Sequence, residues 1–108
     1  LVILVTAAKY GARYQIYGHE YFAERAGMSR DTIGAVLAGQ RPGDLAPDER
    51  VAYDLAATLN RGASVPRTTY RAALAALGQD GVAEVVFLVG CFSMVAVTLN
   101  ASDDADPV

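Results

Sequence analysis

The chain has 108 residues, enough for one domain with a core but small enough for that core to lean on partners. Nine basic residues against twelve acidic ones leave a net charge of −3, and the basic residues are scattered, which argues against a nucleic-acid surface. The single cysteine, Cys91, excludes an intrachain disulfide framework and suits a reducing cytoplasm.

The apolar opening Leu1-Val-Ile-Leu-Val-Thr6 has the β-branched content of a strand. No Gly-x-Gly-x-x-Gly follows it and no other segment reads as a strand to pair with, so it is expected to end a buried helix. It has no initiator Met and no basic region before the apolar run, as if Leu1 lay inside an element of a longer protein. Gly11 breaks the chain before a helix over 12–26, which Gly27 stops.

Ser29 is a suitable N-cap, with Asp31 at the positive end of a short helix to about Ala38. That helix is expected to bury Ile33, Val36 and Leu37 and to stop at Gly39. Pro42 and Gly43 open a loop, and 44–49, with Pro47, begins the next helix. Its apolar stripe is Val51, Ala52, Leu55, Ala56 and Leu59, with Asp48, Arg50 and Arg61 pointing away and 60–62 as its stop.

Ser64-Val-Pro66 starts a helix through Leu77 and Gly78, and Asp80-Gly81 introduces the longest element, 82–100. This element is apolar on nearly every side, the pattern of a central or interface helix. Its uncharged stretch, 85–99, falls short of the roughly 20 residues of a membrane span, and a buried helix is expected. The expectation is therefore an all-α domain of five or six helices over 1–101, followed by an acidic tail over 102–108.

Chemistry is sought in the segment from Gly11 to Glu20, which holds His19, the only histidine. In a helix, Ala12, Gln15 and His19 share one face, and Tyr10, Tyr14, Tyr17 and Tyr21 form a second stripe. A lone helical histidine is open to a structural reading as well as a catalytic one, and the tyrosines read first as packing residues. Cys91 reads as a small buried packing residue, and no metal site is expected from one His without a Cys cluster.

The run Leu1-Val-Ile-Leu-Val-Thr-Ala7, then Gly11, Tyr-Gln-Ile-Tyr-Gly-His-Glu20, Ala23 and Ala26-Gly27 resembles the carboxymuconolactone decarboxylase family. The likeness continues through 32–39, Pro47-Asp-Glu-Arg50, 70–78, Val82-Ala-Glu84 and Thr98-Leu-Asn100. It implies an alkylhydroperoxidase D-like helical bundle that assembles as a homo-oligomer, a trimer or hexamer. Peroxidase-type members carry a Cys-x-x-Cys pair whose positions here hold Ala12 and Gln15, so dithiol peroxidase chemistry is disfavoured. The family's relay glutamate would fall just before Leu1.

What the resemblance implies is a cytoplasmic, cofactor-independent decarboxylase acting on a small carboxylated lactone or related organic acid, with no membrane or nucleic-acid partner. His19 is then the general acid/base. Tyr14 or Tyr17 would donate to the developing oxyanion, Gln15 would hydrogen-bond the substrate, and Arg13 would orient its carboxylate. The alternative is a non-enzymatic helical assembly protein that retains the fold.

Overall fold

The computed structural model describes residues 1–11 and 13–102, and of Arg13, Tyr14, Gln15 and Tyr17 it describes the backbone only. Five helices make up the described chain: α1 (Val2–Tyr10), α2 (Arg13–Arg25), α3 (Arg30–Leu37), α4 (Pro47–Asn60) and α5 (Arg67–Ala101). No strand occurs among the described residues, as the sequence reading expects. The acidic tail beyond Ser102 and Ala12 lie outside the described residues.

Helix α1 is the axis of the packing and touches all four other helices. Its apolar run supplies Val2, Leu4, Val5 and Ala7 to the core, against Ile33 and Val36 of α3 and Tyr53, Leu55 and Ala56 of α4. A nine-residue helix is marginal alone, so burial on every side holds it together. Gly11 ends it in the left-handed conformation, and its N–H returns to the carbonyls of Ala7 and Ala8.

The caps are where local sequence decides the boundaries. Ser29 Oγ accepts the Thr32 N–H at 3.1 Å and so caps α3. Glu49 accepts the Ala46 N–H at 2.9 Å, satisfying one of the donors that α4 would otherwise leave open, and Pro47 occupies the first turn. Ser29 and Thr32 both donate hydroxyl hydrogen bonds to the Asp44 carboxylate, at 3.0 and 2.6 Å. These bonds hold the Asp44 pKa below its ordinary value and pin the loop before α4 to the start of α3.

The seam between α1 and α4 carries a polar clamp inside the core. Thr6, fully buried, donates to the Val2 carbonyl and accepts from Asn60 Nδ2 at 3.1 Å. Asn60 Nδ2 also donates to the Ala56 carbonyl at 3.0 Å. Lys9 Nζ donates to the Asn60 carbonyl, placing a cation on the negative end of α4.

A straight helix of 35 residues would run about 52 Å, longer than the 44 Å long axis of the molecule. Helix α5 avoids this by breaking at Gly78, with φ 73° and ψ 173°. That region of conformational space is open to glycine almost alone. The sequence reading places the boundary here correctly, but the helix resumes at once, so Asp80 and Gly81 are helical. A Cβ at Gly81 would come within 2.8 Å of Leu77 Cβ, which explains the second glycine one turn later.

The expectation that 82–100 is a buried helix is met on one face only. Val82, Val85, Val89 and Ala96 are buried in the core, while Val86, Phe87, Met94 and Val97 stand exposed, Phe87 at 68%. Helix α5 is long and apolar enough to cross a membrane by length and composition, with a mean hydropathy of 2.3 over an 18-residue window. Only 22% of that window is buried inside the protein.

Candidate functional site

His19 lies in the middle of α2, a helix that packs on α1 and α3. Its imidazole crosses to α5 and meets the Phe92 ring edge-on, with centroids 5.5 Å apart and planes at 89°. The side chain is half-buried. Burial is the first cause holding its pKa below the ordinary 6.5. His19 therefore stands where the middle of α2 meets the second half of α5, and it favours the neutral imidazole.

The other residues expected around it cannot be set beside it. The side chains of Arg13, Tyr14, Gln15 and Tyr17 lie outside the described residues. The two described tyrosines of the stripe each meet a cation. The Arg25 guanidinium lies 5.3 Å from the Tyr21 ring centroid and donates to its hydroxyl at 2.6 Å, and Lys9 Nζ lies 5.5 Å from the Tyr10 ring centroid. Tyr21 is exposed, so it is not a core residue of the single chain. Cys91 is half-buried rather than enclosed.

A distinct cavity of about 270 Å³ opens between α1, α3 and α4, and His19 is not among its lining residues. Its walls include Val5, Val36 and Ala57, and its polar groups are Lys9, Tyr53, Asn60 and Arg61. Tyr53 and Arg61 also line a neighbouring hollow of about 400 Å³, bordered by the bidentate Arg41–Asp54 pair at 2.9 and 3.0 Å. A further hollow of about 280 Å³ lies between α2 and α3, lined by Glu20, Glu24 and Arg30, and His19 lines neither it nor the cavity. The geometry of His19 bears more directly on proton transfer, and the cavity more directly on binding.

Sequence reasoning missed Lys9, Asn60 and Arg61 as a group. Asn60 and Arg61 read as a helix stop beside Gly62, and no spacing links them to Lys9, 51 residues upstream of Asn60.

The chain matches no family model, no curated protein and no solved structure. Among the described residues the structure has five helices and no strand, the all-α class the sequence reading expects.

Proposed function

We propose that the chain is a cofactor-independent enzyme of the carboxymuconolactone decarboxylase kind, in which His19 exchanges a proton with a small carboxylated lactone. The observation that carries this reading is the half-buried, neutral-favouring imidazole where α2 meets α5. In such a substrate the carboxylate is vinylogous to the ring carbonyl. As carbon dioxide leaves, its bonding electrons pass into that carbonyl, and one proton must then reach carbon. Imidazolium supplies that proton and recovers it from solvent.

The sign of the pH dependence follows. With the His19 pKa lowered, the proton-donating form is scarce at pH 7 and grows as pH falls through and below 6.5. Decarboxylation of 4-carboxymuconolactone should therefore quicken toward lower pH in the wild type. His19→Gln, which keeps a hydrogen-bonding group but has no titrating one, should lose both the rate and its pH dependence. Equal turnover in a folded His19→Gln protein would remove His19 from the mechanism. Absence of turnover in both proteins would reject this substrate.

The homo-oligomer belongs to the same proposal. Val82, Val85, Val89 and Ala96 commit one face of α5 to the core, which supports a protein partner rather than surrounding lipid for the exposed Phe87 and Met94. Phe87→Asp should lower the mass seen by light scattering after size-exclusion chromatography, and a wild-type monomer would contradict this assembly.

A second reading, an assembly protein without catalysis, is favoured by the way Phe92 packs against His19, since such contacts also serve structure alone. It predicts that His19→Gln changes stability or subunit number and leaves no activity to lose.

A further inference from the structure

We propose that the outward face of α5 beyond Gly78 is a coiled-coil seam, on which a second copy of this chain packs antiparallel about a twofold axis. This pairing gives a partner surface and a symmetry to the homo-oligomer proposed above, and rests on it. Ala83, Phe87, Gly90, Met94, Val97 and Ala101 follow one another at alternating steps of four and three, and all six are exposed. That alternation is the a/d spacing of a coiled coil. The core residues of the same helix, Val82, Val85, Val89 and Ala96, fall on a separate side.

Gly90 is a second observation. A glycine inside a helix is costly beside alanine, and no atom of this chain comes within 4 Å of where its Cβ would stand. Packing within the chain gives no reason for it, whereas close approach of another helix does. Gly90 differs from the equally open Gly18 and Gly34 in lying between Phe87 and Met94 on the seam.

Shape and charge set the direction. With the axis at the middle of the seam, Gly90 meets the partner's Met94, Phe87 meets the partner's Val97, and Ala83 meets the partner's Ala101. Every seam residue then meets another, and the flexible methionine fills the space over the glycine. Glu84 is the one charged residue of 82–101. A parallel pair would set two Glu84 carboxylates side by side, while the antiparallel pair holds them about 24 Å apart along the helix. Opposed helix dipoles favour the same direction. The exposed surface of Val86, Phe87, Met94, Val97 and the small residues between them is on the order of 600 Å² per copy, so pairing removes about 1,200 Å², the lower edge of a stable interface. A hexamer can contain this twofold axis, and a threefold trimer cannot.

The test places Ala83→Cys and Ala101→Cys in separate full-length Cys91→Ser chains, expressed singly and together and treated with a short bismaleimide. Cross-linked dimer is expected only where both variants are present, because two copies of either position lie about 27 Å apart along the pair. Gly90→Leu directs its Cβ into open space within the chain. Its circular dichroism should stay helical while the mass by light scattering halves. A cross-link in either variant alone, no cross-link in a wild-type-sized oligomer, a trimeric mass, or an unchanged mass for Gly90→Leu would each overturn the pairing and leave the homo-oligomer standing. A wild-type monomer would overturn both. Flotation of the wild type with phosphatidylcholine vesicles in place of self-association would give the seam to lipid and overturn both as well.

Discussion

At the seam between α1 and α4, Thr6 and Asn60 are buried, hydrogen-bond to each other and sit among Leu4, Leu55 and Ala56. At the junction of α2 and α5, His19 is half-buried and meets Phe92 across a ring contact, beside a helix whose outer face is open. The seam is fixed by hydrogen bonds between groups of both helices, with a cavity opening beside it. The junction holds a titrating group without enclosing it. A fold of this size can carry chemistry on a loosely covered helix because a different pair of helices secures the core.

The contrast is tested first where the effect is largest. Leu55→Ala, in the seam, should cost about 2–5 kcal/mol in urea denaturation, the usual penalty for emptying a filled core site. Phe87→Ala, on the outer face of α5, should stay within about 0.5 kcal/mol when measured on the monomer. Similar losses for the two would mean that the outer face also belongs to the monomer core.

Gly78→Ala comes next, at roughly 1–3 kcal/mol, because the alanine must take a backbone conformation that only glycine adopts with ease. Calorimetric melting would show it, and an unchanged transition would mean that α5 can straighten. Ser29→Ala should cost about 1 kcal/mol by removing the cap of α3. It should also release Asp44 toward its ordinary pKa, since one of its two hydroxyl donors is lost.

The gentlest test concerns the junction itself. Phe92→Ala uncovers His19, so its pKa should rise toward 6.5 in an NMR titration. The linkage has a definite sign. A histidine whose folded pKa lies below its unfolded value withholds nothing from stability above pH 6.5. Stability falls as pH drops through that value, until the folded pKa is passed. The fall should be shallower in Phe92→Ala.

Much of the fold was legible because glycines punctuate it. Gly11, Gly27, Gly39, Gly62 and Gly78 all take positive φ where the sequence reading ends a helix. Gly81 misled, because it makes room for Leu77 across the break at Gly78 and lies inside the second segment of α5 rather than before it. The buried face of α5 could not be read ahead, since both faces are apolar and only the position of α1 and α4 separates Val85 from Val86. His19 was visible as the only histidine, but its neighbour Phe92 lies 73 residues away by their numbering, beyond any local pattern. Tyr53 buried itself outside the expected stripe of α4 by turning toward the cavity.

The bond from Asn100 Nδ2 to the Tyr10 carbonyl spans 90 residues, and α1 touches every later helix. During synthesis, α1 leaves the ribosome long before the partners that cover it exist. At about 5–20 residues per second, its apolar side chains wait several seconds for α4 and α5. A ribosome stalled before α5 would therefore present an adhesive N-terminal segment, and that interval is when the chain has most need of a chaperone.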